Sequence, residues 1–378
     1  MKRLTTIITA AILAAAGSTV LCGCASEKQP EAFRAVGGDV SLLPTYEEAG
    51  VEFLDSAGTK IDDLMAFFAK EGWNTIRVRL FVNPENAPQQ AKDEGVYQNI
   101  DYVTTIAEKV KKAGMKLMLD FHYSDTWADP GKQFTPKAWA TADTASAEYP
   151  KILADSVYRH TKKSLEHLKQ HGISPEYIQV GNETSYGMLW PTGKVNFESD
   201  DNWEIFANLN KAGSKACREI CPDAKIILHT ERAGEQEKTL QWYQQMKKFD
   251  VDYDIIGLSY YPMWHKDIPT LDSTLTAITD SFPGKDIMIV ETAYFYTEHK
   301  KWEGDLDTDY PFTPEGQKQF TDALIDMLHK HANVIGLFWW CPEENCHNND
   351  VLKFRMNRGL FNNDTGKALP ALYELKKF

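Results

Sequence analysis

Two glutamates carry the most chemical information in this chain. Glu183 closes the run Tyr177-Ile178-Gln179-Val180-Gly181-Asn182-Glu183, and Glu291 closes Asp286-Ile287-Met288-Ile289-Val290-Glu291. Each run reads as a short buried strand that ends abruptly in a carboxylate. A single glutamate at a strand end is most often a solvated loop boundary. The same ending met twice points instead to a pair. Paired carboxylates at the carboxyl ends of parallel strands suit hydrolysis of a glycosidic bond, in which one group protonates the leaving oxygen and the other attacks or activates water.

Presenting both carboxylates requires a repeating scaffold, and the chain supplies one. Strand-like runs are expected at Ala35 to Leu42, Thr75 to Val82, Lys116 to Tyr123, Tyr177 to Val180, Lys225 to His229, Asp254 to Tyr261, Asp286 to Thr292 and Val334 to Trp340. Between them the apolar rhythm turns helical, over Ile61 to Lys70, Ile100 to Ala113, about Ala147 to His171, Trp203 to Ile220, Lys238 to Lys248, Leu271 to Phe282 and Glu315 to Ala332, with a closing helix at Leu369 to Phe378. Eight strands alternating with helices imply parallel pairing and closure into a (β/α)8 TIM barrel, an α/β fold in one catalytic domain. An open doubly wound sheet is the rival, but no glycine-rich phosphate loop follows the first strand. On the barrel reading Asp39, Arg77, His122, Glu183, Tyr261, Glu291 and Trp340 all fall near the carboxyl ends of strands, the end that carries chemistry in such barrels.

Composition narrows the ligand. The 378 residues are 43% apolar and 12% aromatic, enough for a large core, and the net charge of −13 argues against nucleic acid or another polyanion. Ten Trp and sixteen Tyr suit stacking against the apolar faces of sugars, although ordinary packing also uses them.

The amino terminus reads as a targeting segment. Lys2 and Arg3 open a positive region, an apolar and small-residue run covers Leu4 to Val20, and Leu21-Cys22-Gly23-Cys24 closes it. The quartet resembles a bacterial lipobox, which makes Cys24 the expected site of lipidation. Residues 1–23 are then a lipoprotein signal peptide, 24–34 a polar tether and 35–378 the barrel domain. A plain signal peptide or an amino-terminal anchor is the competing reading. Either way the protein is expected to be exported, and with lipid on Cys24 it would be held to a bacterial membrane, at the outer membrane or cell surface. Four further cysteines remain. Cys341 and Cys346 flank a tight loop and could pair, whereas Cys217 and Cys221 on one helix face are poorly placed for a bridge.

Several longer motifs resemble glycoside hydrolase family 53, the arabinogalactan endo-β-1,4-galactanases. They are Asn74-Thr75-Ile76-Arg77-Val78-Arg79 with Val82-Asn83-Pro84, the run from Asp120-Phe121-His122 to Asp129-Pro130, Gly181-Asn182-Glu183, Leu189-Trp190-Pro191-Thr192-Gly193, Ser259-Tyr260-Tyr261-Pro262 and Val290-Glu291-Thr292. The resemblance extends from about Val36 to the carboxyl terminus. It implies an endo-acting, retaining hydrolase of β-1,4-galactan, a monomer that needs no cofactor for its chemistry. By position it makes Glu183 the acid/base, with Asn182 set to bond the sugar 2-hydroxyl. It makes Glu291 the nucleophile, kept ionised by Arg77 and bonded by Tyr261. His122 would belong to the site, and Asp39, Trp127 and Trp340 would line the sugar cleft. Elementary electrostatics agrees: a guanidinium lowers the pKa of a carboxyl beside it, while burial and a neighbouring negative charge raise that of its partner. Arg79 is expected to be structural.

Two features stand apart. After the last strand the family pattern Trp-Glu-Pro followed by Ala-Trp is replaced by Trp340-Cys341-Pro342-Glu343-Glu344-Asn345-Cys346, so an aromatic contact to the sugar is missing. Asp305, Asp307 and Asp309 alternate in the loop after strand seven, where the resemblance allows a structural calcium ion, with a solvated acidic loop as the alternative. The rival functions are a non-catalytic glycan-binding lipoprotein on the same barrel and a related retaining enzyme such as a cellulase or mannanase. Retention of both glutamates speaks against the first.

Overall fold

The computed structural model describes residues 33–140, 143–298, 309–353 and 355–378. Within Arg34–Phe378, which forms one compact unit, eight parallel strands close into a barrel. They are β1 (Ala35–Asp39), β2 (Thr75–Leu80), β3 (Lys116–Phe121), β4 (Tyr177–Val180), β5 (Lys225–Thr230), β6 (Ile255–Tyr260), β7 (Asp286–Thr292) and β8 (Val334–Trp340). Neighbours in sequence pair throughout, and β1 closes the ring by lying between β8 (Ala35 opposite Gly336) and β2 (Gly37 opposite Thr75). A Cβ on Gly37 would stand 1.7 Å from the Thr75 carbonyl oxygen, so this contact admits only glycine.

The outer layer consists of α1 (Leu64–Lys70), α2 (Ile100–Lys112), α3 (Tyr149–Gln170), α4 (Trp203–Ile220), α5 (Gln236–Lys248), α6 (Ile268–Ser281), α7 (Pro314–Leu328) and the short closing helix α8 (Pro370–Glu374). Side-chain caps set four of the starts: Asp63, Asn99, Asp267 and Thr313 each accept a hydrogen bond from the backbone N–H three residues on. The cap at Asp63 explains why α1 begins later than the apolar rhythm suggested. Ile61 belongs instead to a two-stranded hairpin, Phe53–Leu54 with Lys60–Ile61, and a further short helix, Leu43–Glu48, follows β1.

Alternation along each strand divides the interior of the barrel into layers. Ala35, Met118, Tyr177, Ile227, Ile255, Met288, Val290 and Phe338 pack into one apolar cluster. One step further along the strands come Asp39, Arg77, Asp120, Gln179, His229 and Ser259, all fully buried. β7 departs from simple alternation. Its pairing with β6 steps from Leu258 opposite Ile289 to Ser259 opposite Glu291, so Val290 is an extra residue, and Glu291 joins the polar layer.

Cys217, Cys221, Cys341 and Cys346 are buried free thiols, so the bridge considered for Cys341 and Cys346 is not formed. Cys24, Asp305 and Asp307 lie outside the described residues; Asp309 is exposed. Among the described residues no group of three or more metal-ligating side chains is found, and no helix is long and apolar enough to cross a membrane.

Candidate active site

A cleft of about 570 Å³ opens at the carboxyl ends of the strands. Glu183 and Glu291 both line it, together with His122, Trp127, Asn182, Tyr261 and Trp340. Beneath lies Arg77, whose guanidinium faces three carboxylates: Asp39 at 2.7 Å, Asp120 at 2.8 Å and Glu291 at 2.9 Å. The same guanidinium donates to Asn182 Oδ1 at 2.8 Å. Burial alone would disfavour its charge, but the three carboxylates outweigh burial and keep it cationic. On its other oxygen Glu291 accepts a 2.8 Å bond from the Tyr261 hydroxyl, which burial keeps protonated.

Glu183 is held differently. The chain leaves β4 through Gly181 (φ +85°) and reaches Glu183 itself at φ +47°, a left-handed conformation rare for a glutamate. Its Oε1 accepts from the Ser259 hydroxyl at 2.7 Å, and Ser259 in turn meets His229 Nε2 at 2.8 Å. Burial and the nearby Arg77 push His229 well below the ordinary histidine range, so the ring is neutral. Its Nδ1 accepts from the Gln179 amide at 3.0 Å and the Glu183 backbone N–H at 3.3 Å. Asn182 Oδ1 also stands 3.1 Å from Nδ1, but it already accepts from Arg77 and Gln179. The two donors on Nδ1 thus favour the ring proton on Nε2, which donates to Ser259 and leaves the serine hydroxyl to donate to Glu183.

The two carboxyls differ in protonation for identifiable reasons. Burial raises both, but Arg77 and the Tyr261 hydroxyl restrain Glu291. Glu183, raised well above the ordinary range, is pushed further by the charges of Glu291, Glu231 and Asp129 and is eased only by Ser259. A proton shared by the pair therefore resides on Glu183. Because Ser259 donates to Oε1, that proton sits on Oε2, the oxygen available to a ligand. The arrangement can protonate a leaving oxygen from one side and offer a carboxylate nucleophile from the other.

Residues 35–375 match the family model of Glycosyl hydrolase family 53. The chain belongs to that family. An arabinogalactan endo-β-1,4-galactanase from Cellvibrio japonicus is 35% identical over 321 residues, 81% of this chain and 80% of that protein. An endo-β-1,4-galactanase from Bacillus subtilis is 32% identical over 318 residues, 81% of this chain and 69% of its own. Among solved structures, the family 53 catalytic domain from Ignisphaera aggregans superposes with a TM-score of 0.79 at 28% identity, covering 92% of this chain and 97% of that one. A fungal β-1,4-galactanase gives 0.77 at 28% identity, covering 92% and 100%.

The remaining residues singled out on family resemblance fall in two places, the cleft wall and the layer beneath it. Trp127 and Trp340 stand on the cleft wall with ring centroids 6.4 Å apart. His122 is on the wall too, with Nδ1 accepting from the Ala128 N–H at 3.3 Å and Nε2 against Asp120 at 2.9 Å. Asn182 spends one amide hydrogen on the Ala128 carbonyl at 2.9 Å. Asp39 departs from expectation. It is fully buried under the site, bonded to Arg77, Arg79 and Ser41, rather than set in the wall. Arg79 pairs with Asp39 at 2.8 Å and lies 4.8 Å from the Trp127 ring, a supporting role. Asp120 and Ser259, expected only as motif members, and Gln179, His229 and Glu231 had no role assigned from the sequence. For all but Glu231, the available signal was an inward polar position on a barrel strand; Glu231 follows β5 directly.

Proposed function

We propose that the protein is a retaining endo-β-1,4-galactanase that cuts internal bonds of galactan or arabinogalactan. One observation carries the chemistry: two carboxyls share a cleft, Glu291 buried and gripped by a guanidinium and a phenol, Glu183 half-buried, supported by a neutral hydroxyl and surrounded by negative charge. In the first step the Glu291 carboxylate bonds to the anomeric carbon while Glu183 gives its proton to the departing sugar oxygen. In the second, the Glu183 carboxylate takes a proton from water, whose oxygen displaces Glu291 and regenerates both groups. Arg77 and Tyr261 hold the nucleophile, and Asn182 is set to meet the 2-hydroxyl. The choice of β-1,4-galactan rests on the relatives named for it. Incubation with galactan, cellulose and mannan tests the reading. Galactan alone should be shortened, in internal cuts; intact galactan would overturn it.

The acylation quartet supports export and lipid anchoring through Cys24. Palmitate labelling in a lipoprotein-processing host should be lost in Cys24→Ser, and persistent label would contradict the assignment. The spacing of Asp305, Asp307 and Asp309 supports a structural calcium ion, which a chelator would reveal as a lower Tm. An unchanged Tm would assign those residues to a solvated loop.

A further inference from the structure

The loop after β8 lacks the aromatic of the family pattern, yet it does not leave that side of the cleft bare. Glu344, fully buried, accepts four backbone N–H bonds, from Met356 (2.7 Å) and Asn357 (2.9 Å) on Oε1 and from Arg358 (3.1 Å) and Gly359 (3.0 Å) on Oε2. Asn363 adds a side-chain bond of 2.8 Å to the same carboxylate. Carbonyls of the segment are fixed as well, since Trp339 Nε1 donates to Arg358 O at 2.8 Å and Gln317 Nε2 to Gly359 O at 3.0 Å. Such a cradle of converging N–H groups locks the backbone around Arg358.

The side chain so presented lines the cleft. Its guanidinium carbon lies 5.1 Å from the Trp340 ring, 5.4 Å from Trp264 and 5.5 Å from Tyr261. Among the described residues no carboxylate pairs with it, although the protein carries a net charge of −13. Ring faces satisfy the plane of a guanidinium but not its N–H edge. Tyr261 is the residue that bonds Glu291, so Arg358 stands close to the nucleophile and to the sugar under attack, which belongs to the glycone.

We propose that Arg358 binds the glycone part of the substrate, donating its N–H fork to sugar hydroxyls, and that Glu344 positions it for that purpose. The proposal takes the sugar to be galactose from the reading above. In place of a stacking aromatic, this chain would use directional hydrogen bonds, which select hydroxyl stereochemistry more sharply than a flat ring does.

The test compares wild type, Arg358→Ala and Arg358→Lys on defined oligosaccharides of whichever β-1,4 polymer the wild type cuts. If that polymer is not galactan, the galactanase reading fails while the role of Arg358 is still decided on the polymer found. Arg358→Ala should keep its Tm and lose about tenfold to a hundredfold in kcat/KM, mainly through KM. The lysine, lacking the fork, should recover only part of the loss. A kcat/KM within twofold of wild type for the alanine variant would overturn the proposal, as would a lower Tm with unchanged KM, the mark of mere packing. Glu344→Gln should raise KM in the same direction, and adding Arg358→Ala to it should cost little more. Additive losses would remove Glu344 from the positioning role.

Discussion

Arg77 answers to three carboxylates at once, and that sharing governs its behaviour. Replacing it with Met would leave Asp120 and Glu291 buried without their cation, and Asp39 with Arg79 alone. Glu291 would then hold a proton to higher pH. Since only the ionised form attacks, the acid limb of the kcat/KM profile should move upward by about one unit or more. A fully folded, active Arg77→Met with an unmoved acid limb would contradict the pairing. The variant should also lose about 3–5 kcal/mol of stability, measured by denaturant titration, because a buried network is broken from one side. The link of Arg77 and Tyr261 to Glu291 was legible because each stands near a strand end in a long, specific motif. The path from His229 through Ser259 to Glu183 was not. Strand periodicity says that a residue faces inward, but which inward residues touch depends on the shear of the closed barrel. Asp39 was misplaced for a related reason: position along a strand does not reveal whether a side chain stops beneath the cleft or reaches its wall.

At the scale of elements, the turn after β4 sets the attitude of the acid/base. Gly181 takes φ +85°, and a Cβ there would stand 2.8 Å from the Thr184 methyl. Gly181→Ala should therefore cost about 1–2 kcal/mol in stability and shift Glu183 from its serine. Steady-state kinetics should register a lower kcat with KM little altered; normal kcat would show that the turn can relax freely. Alternation of strands and helices was readable from the apolar periods of the sequence, and all eight strands lie where those periods placed them. Boundaries were less readable. The hairpin of Phe53–Leu54 and Lys60–Ile61 is too short for periodicity to reveal, and the extra residue at Val290 leaves no trace in the run Asp286-Ile287-Met288-Ile289-Val290-Glu291.

For the whole molecule, buried acids couple stability to pH. Burial, reinforced by the charge of Asp39, pushes Glu343 up to about 8. An acid whose folded pKa exceeds its unfolded value binds more protons in the folded state between the two. Its contribution is therefore complete below the unfolded pKa and is lost as pH rises toward about 8, at up to about 1.4 kcal/mol per unit. Thermal melts should show Glu343→Gln matching wild type near pH 4.5 and exceeding it at pH 8; equal pH dependence in both would exclude a raised Glu343. The division of labour between Glu183 and Glu291 is tested most directly by the anomer formed when azide rescues each alanine variant on an activated β-galactoside. Glu291→Ala opens the face that the nucleophile occupied, so azide attacks there once and inverts to the α-galactosyl azide. Glu183→Ala still forms the covalent intermediate but lacks the base that activates water, so azide displaces Glu291 and gives the β-azide. Opposite anomers are the predicted result, and the same anomer from both variants would contradict the assignment.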